Sequence, residues 1–280
     1  MNCSTFASAA FTRTILSHAK ESGLCVEQLL QRAGIDPACL TDQSQRIPAY
    51  LVEKLWSECE NAGVGKQFGC DLINGMATHC LQGMNVLLDS AATLRESLEC
   101  FIRFLPQVTN YVTAELDNVG NEAHLSLRPV NGQPHFFALD AATLSLVRNI
   151  SRRTGTSPAQ LFTCVSLAPL QAAGDWLQSQ SIGVSQGEHP CLHMRVSALD
   201  LPLLSANPFL YQNMLRHWQT TLPNDSRNHG LELARNLLTA GDQSIERIAE
   251  RLGYRQPSNF IRAFRKYFGI TPKQFRLGSC

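Results

Sequence analysis

The feature that most constrains the fold is the residue spacing in 244–276, SIERIAERLGYRQPSNFIRAFRKYFGITPKQFR. Ser244 can cap a helix through its side-chain oxygen, and Glu246 falls in the first turn, where the helix dipole favours an anion. Ile245, Ile248, Ala249 and Leu252 recur at i, i+3, i+4 and i+7. Gly253 ends that helix cheaply in the left-handed conformation, with Tyr254 as an apolar contact at the corner. A second helix is expected from about Gln256 to Gly269, with Pro257 in the first turn, where a missing N–H costs nothing. Phe260, Phe264 and Phe268 repeat every four residues on one face of it, and Asn259, Arg262 and Lys266 line another. Thr271-Pro272 starts a third short helix, Lys273 to about Leu277. Two helices joined by a tight glycine-containing turn form the helix-turn-helix pattern.

Charge points to the partner. Between Arg251 and Arg276 lie seven basic residues and no acidic one, and phosphate is the counter-ion such a run fits. A second helix in a major groove presents its N-terminal residues to base edges, so Arg255, Gln256, Ser258, Asn259 and Arg262 are the candidate readers. Arg265, Lys266 and Lys273 are placed on the phosphates. Taken from charge alone, a basic helical hairpin is equally well a solvated surface; the spacing favours double-stranded DNA.

These residues resemble a known family. Ala249, Leu252-Gly253-Tyr254, Phe260, Arg262-Ala263-Phe264, Gly269, Thr271-Pro272 and Phe275-Arg276 match the C-terminal signature of AraC/XylS-type bacterial transcription regulators. Leu231-Glu232-Leu233-Ala234 and Leu237-Leu238 resemble their linker helix. The resemblance implies a helical DNA-binding domain, an effector-sensing N-terminal domain and action at promoters or operators. It also admits RNA polymerase as a further partner.

The whole chain, 280 residues and 31.0 kDa, is long enough for one or two domains with a sizeable core. Its net charge of +1 hides an asymmetry: residues 230–280 carry nine basic and four acidic residues, net +5, leaving net −4 for residues 1–229. No run of apolar residues is long enough for a membrane span, and the N-terminus lacks a basic leader followed by a hydrophobic stretch, so a cytoplasmic protein without membrane contact is expected. The ten cysteines are scattered without C-x-x-C pairs, which predicts reduced, mostly buried thiols, with a redox-sensing thiol as the alternative.

Before the basic end, the periodicity is mixed. Helical spacing is expected at 11–20, 26–33, 49–62, 67–73 and 83–88, and Thr93 caps LRESLECFIRFL, which Pro106 is expected to end. Residues 111–117 and 123–129 alternate apolar and polar around Asp117-Asn-Val-Gly-Asn121, a hairpin. Helices at 136–150 and 170–180 and strands at 161–167 and 191–196 complete an α+β sensor, and a small all-α helix-turn-helix domain follows it. Leu29 to Ile35, Arg46-Ile47-Pro48, Leu199 to Leu203 and Ala206-Asn207-Pro208 are similar to the N-terminal domain of the AraC/XylS branch with an arabinose-binding-like sensor. That resemblance implies a small effector or self-association, and it names neither a ligand nor pocket residues.

One departure stands out. AraC/XylS domains hold two helix-turn-helix units joined by the linker helix, whereas here Asn207 to Leu222 reads as a helix and only Pro223 to Gly230 separates it from the linker. Eight turn-prone residues cannot hold two helices. The expected organisation is therefore a 1–206 effector-sensing and dimerisation domain, a 207–230 closing helix and linker, and a 231–280 DNA-binding domain that lacks its first unit. A single module contacts few base pairs, so a homodimer reading two half-sites is expected. The alternative is an effector-binding or dimerisation protein with impaired DNA binding that modulates a full-length relative.

Other constellations are weaker. His189-Pro-Cys191-Leu-His193 places three ligand types at i, i+2 and i+4, on one face of a strand, but no fourth ligand is apparent. It is taken as a strand edge leading into Met194-Arg195-Val196, with no metal assigned. Gly63-Val-Gly-Lys66 is read as a turn, because G-x-x-x-x-G-K-[ST] is not matched. Neither G-x-S-x-G nor H-E-x-x-H occurs, so no catalytic residue and no cofactor is assigned. Trp56, Trp176 and Trp218 sit at helical spacing and are read as core or interface anchors.

Overall fold

Alternation in the middle of the chain produces the sheet that organises the first of two compact units, Met1–His217 and Trp218–Cys280. The computed structural model describes residues 5–42, 45–75, 81–130, 132–220, 231, 234, 237–238, 244–252, 254, 256–268 and 271–278. In chain order the elements are β1 (Phe6–Ser8), α1 (Ala9–Glu21), α2 (Val26–Ala33), β2 (Arg46–Pro48), α3 (Ala49–Asn61), α4 (Phe68–Gly75), α5 (Met84–Ser90), α6 (Leu94–Val108), β3 (Val112–Val119), β4 (Glu122–Pro129), α7 (Phe136–Thr154), α8 (Pro158–Leu161), β5 (Phe162–Leu167), α9 (Gly174–Ser179), β6 (Gly183–Gln186), β7 (Cys191–Arg195) and α10 (Pro208–Thr220). The α+β reading of this region holds.

The sheet runs β3-β4-β7-β5-β6, antiparallel except for the parallel β5/β6 pair joined through α9. Ala123, Leu125, Leu127, Leu192, Met194, Val165 and Leu167 are buried on one face, and α6 and α7 lie against β3 and β7. Glu122, His124, Ser126, Cys191, His193, Cys164 and Ser166 alternate with them and form the other, polar face. The β3/β4 hairpin is tighter than its sequence implies, because Asn118 and Val119 stay in register with Ala123 and Glu122. Gly120 supplies the positive φ (+61°) that the first central residue of a type II′ turn needs.

Two expectations are corrected here. Helix α6 does not end at Pro106 but continues to Val108. In the last turn only one hydrogen bond is lost to proline, and the Thr109 N–H still closes on the Leu105 carbonyl at 2.9 Å. The helix expected at 170–180 shrinks to α9, since Leu170 takes a positive φ of 71°. The paired strands β1 and β2, three residues each, and the four-residue β6 are too short to show a period.

The N-terminal helices share a core centred on Trp56, fully buried, with Phe68 and Phe137 edge-on at 6.1 Å and Phe11 at 6.4 Å. After β7 the chain passes through a 3-10 turn, Val196–Asp200, and is bonded backbone to backbone across three helix ends. Leu94 N–H donates to Leu201 O (3.0 Å) and Leu203 N–H to Ala92 O (3.2 Å), while Leu204 N–H reaches Arg153 O (2.8 Å) and Asn207 N–H reaches Ser90 O (3.0 Å). α10 follows, its Tyr211 hydroxyl 3.3 Å from the buried Cys100 thiol. Cys25, Cys39, Cys59, Cys70, Cys100, Cys164 and Cys191 are free thiols. Among the described residues no helix is long and apolar enough to cross a membrane.

Candidate functional site

The second unit is built from α11 (Ile245–Arg251), α12 (Pro257–Phe268) and α13 (Pro272–Gly278), preceded by helical residues at 231, 234 and 237–238. Ser244 caps α11 as its sequence implies, its hydroxyl accepting from Arg247 N–H at 3.2 Å. The Tyr254 N–H donates to Ala249 O at 2.9 Å, the i to i−5 bond that closes a helix in the Schellman pattern. At α13, Gln274 N–H donates to Thr271 Oγ1 (3.3 Å) while Gln274 Oε1 accepts from Thr271 N–H (2.9 Å), a reciprocal capping box.

These ends aim α12. Its Phe260 and Phe264 are fully buried with Leu231, Ala234, Leu238, Ile248 and Ala249, in a run of edge-to-face rings from Tyr254 through Phe260 and Phe264 to Phe275 at 5.5–5.8 Å. With one face locked into that core, the opposite face is turned out: Gln256, Ser258, Asn259, Arg262 and Arg265 are all exposed, as is Lys273 on α13. The exposed set combines amides and hydroxyls near the N-terminus of α12 with cations further along. Amides, hydroxyls and guanidiniums are groups able to meet base edges, and the cations can also meet phosphates. Arg255 and the side chain of Lys266 lie outside the described residues. Glu246 is held below the usual carboxylate range by backbone and Ser244 hydrogen bonds, with Arg276 nearby, so α11 carries its anion at its N-terminus.

The first unit contains a cavity of about 120 Å³ that its sequence did not reveal, between β1, α5, α6, α7 and the β3/β4 hairpin. Its wall is mainly aliphatic and aromatic, from Leu88, Phe101, Leu105, Leu127, Leu139 and Leu146. At its polar end Arg153 is buried and paired with Asp89, to which its Nε donates at 2.7 Å, and Nη2 donates to Asn85 Oδ1 at 2.6 Å. Asp89 also accepts from Arg152 Nη2 at 2.8 and 2.9 Å, so one carboxylate serves two guanidiniums at this end.

The H-x-C-x-H run is divided. β7 starts at Cys191, so His189 lies in the preceding loop, while Cys191 and His193 share the polar sheet face as alternation requires. His124, from β4, stands directly opposite His193 in the register. Gly63 to Lys66 is a turn, as expected. Trp56 and Trp218 are buried, and Trp176 is half-buried.

Comparison with known proteins fits both units. Residues 23–177 match the arabinose-binding domain of AraC transcription regulator, N-terminal, and residues 210–278 match a helix-turn-helix domain. The chain is 38% identical over 65 residues to the HTH-type transcriptional regulator YdeO of Escherichia coli strain K12, and equally to that of Shigella flexneri. Each alignment covers 23% of this chain and 25% of the relative, so the chain spans about a quarter of the length of the curated relatives it matches. The crystal structure of transcriptional regulator CdpR from Pseudomonas aeruginosa shares the fold, with a TM-score of 0.50 and 14% identity over 90% of this chain and 96% of that one. Because the arabinose-binding domain model covers more than half of its residues and a helix-turn-helix domain follows, the chain belongs to the AraC family of transcription regulators, not to an enzyme family.

Proposed function

We propose that the protein regulates transcription by reading an operator with one helix, α12, under the control of a small effector held in the first unit. The observation that carries this reading is the two-faced α12, with Phe260 and Phe264 buried and Gln256, Ser258, Asn259 and Arg262 exposed. Arg255, Gln256, Ser258, Asn259 and Arg262 meet base edges, and Arg265, Lys266 and Lys273 meet phosphates. Ten residues separate the end of α10 at Thr220 from Leu231, too few for a further pair of helices, so the domain has one reading head. A single head gains specificity by pairing: a homodimer places two copies of α12 on half-sites separated by whole helical turns. The effector is a small apolar or aromatic molecule. A pentose needs hydrogen-bond partners around its hydroxyls, and the wall of the cavity is largely hydrocarbon.

The test is binding of the full-length chain to genomic DNA fragments at two salt concentrations, with its mass in solution measured alongside. A repeated or palindromic site that survives physiological salt, bound by a dimer, supports the reading. Weak, sequence-blind binding erased by salt would overturn it, and would favour a protein that modulates a full-length relative instead. Arg262→Ala should lose about 1–3 kcal/mol of discrimination at one base position, whereas Lys266→Ala should weaken all sequences alike and reduce the salt slope by about one. If both variants bind every sequence like the parent, α12 is not the reading element.

A further inference from the structure

The polar face of the sheet carries a second constellation that DNA reading does not use. The imidazoles of His124 and His193 and the thiol of Cys191 each offer a ligand atom, and all three atoms lie within 4.8 Å of one another. His124 Nε2 and His193 Nδ1 are 3.1 Å apart, and the Glu122 carboxylate Oε2 is 3.2 Å from the first and 4.0 Å from the second. Cross-strand register brings them together: His124 pairs with His193, and Ser126 pairs with Cys191, on adjacent antiparallel strands. From these positions we infer that β4 and β7 form a binding site for a divalent transition ion of the zinc or cobalt type, with His124, His193 and Cys191 as ligands and Glu122 as the fourth.

The donor set fits that ion class. A thiolate with two imidazoles is the borderline-soft set that zinc favours over calcium or magnesium, and a carboxylate completes a tetrahedron. Tetrahedral ligand atoms stand about 3.3–3.5 Å apart, so a pair at the 4.8 Å limit must draw in by about 1.3 Å, shared between two side chains, and the Glu122 carboxylate must swing in from its contact with His124. The outer hydrogen bonds are in place. The Ser166 hydroxyl is 2.9 Å from His193 Nε2, which leaves Nδ1 as the inward-facing atom. Thr163 Oγ1 donates to Glu122 Oε1 at 2.8 Å, and Ser126 Oγ donates to Cys191 Sγ at 3.4 Å. Such partners fix ligand orientation in metal sites. On binding, the Cys191 thiol proton leaves to solvent and the sulfur becomes a thiolate ligand.

The experiment is titration of the reduced, chelator-treated full-length protein with Co²⁺, followed by Zn²⁺ displacement. The expected result is one Co²⁺ per chain with a near-ultraviolet thiolate-to-cobalt charge-transfer band, which Zn²⁺ abolishes. Cys191→Ser should remove the band. His124→Ala and His193→Ala should each weaken Co²⁺ affinity by at least about tenfold, and His189→Ala should leave both band and affinity unchanged. Thermal unfolding without metal confirms that each variant folds, and Glu122→Gln, which changes one oxygen to an amide, provides a second test of affinity should an alanine variant unfold. No saturable band in the parent, or a band that survives Cys191→Ser, would overturn the inference. So would a loss in His189→Ala as large as that in His124→Ala, because the ligands would then be the contiguous H-x-C-x-H run.

Discussion

Glu53 shows how one residue can make stability depend on pH. It sits on α3 beside Tyr111, accepting the His135 N–H at 2.6 Å through Oε2, while Oε1 is buried without a hydrogen-bond partner. Burial raises its carboxyl from the ordinary 4.5 to about 7, against the lowering effect of the His135 hydrogen bond. In the unfolded chain the group ionises near its ordinary value; in the folded chain it stays protonated to about 7. Stability is therefore unaffected at lower pH, falls as pH rises between the two values, and carries the whole penalty above the upper one. Glu53→Gln keeps an acceptor for His135 and cannot ionise. It should gain roughly 2 kcal/mol at about pH 8 and little at about pH 5, as read from denaturant unfolding; an equal gain at both would mean the carboxyl is not what titrates. None of this is legible in residues 49–61 alone, where Glu53 reads as one more polar position on an amphipathic helix. The exposed residues of α12 are legible, because a face is set by local spacing.

Elements whose ends are written in side chains were foreseen closely. Thr93 accepts from Glu96 N–H at 3.3 Å, and Glu96 Oε2 accepts from Ala92 N–H at 2.7 Å, so the start of α6 follows from a four-residue pattern. The caps at Ser244 and Thr271 belong to the same class. Elements defined by a distant partner were not foreseen: β1 and β2 are strands only because each pairs with the other, 40 residues apart, in the register Ala7 with Ile47. The packing of α4 on α7 is equally invisible in sequence. A Cβ on Gly69 would stand 2.5 Å from the Phe137 carbonyl oxygen and 2.6 Å from its Cα, so only a glycine permits that approach. Gly69→Ala must push two backbones apart and should cost about 3 kcal/mol, seen as a lower denaturant midpoint. A midpoint unchanged from the parent would show that the two helices do not meet at this point.

At the scale of the molecule, the order of the two units and the basic bias of the second were readable in sequence, since charge and period change along the chain. The cavity was not, because it is assembled from β1, α5, α6, α7 and the hairpin. Ala142, which lines it, is the position from which it can be filled. Ala142→Leu should raise the unfolding midpoint by about 0.5–2 kcal/mol in stability and cancel the rise that a single-ring aromatic probe produces in the parent; the cavity is of the order that admits one such ring. A variant that is destabilised and still responds to the probe would show that the ligand binds elsewhere. The stretch between β7 and α10 has a different kind of consequence. Its attachments at Leu201, Leu203, Leu204 and Asn207 run between main-chain atoms, so replacing the exposed side chains at 204–207 leaves every one of them in place. This passage is robust to mutation in a way a side-chain latch is not: sequences can drift there while the path of the chain is inherited, with proline at 203, 204 or 207, which lacks the N–H, as the substitution that breaks the lineage.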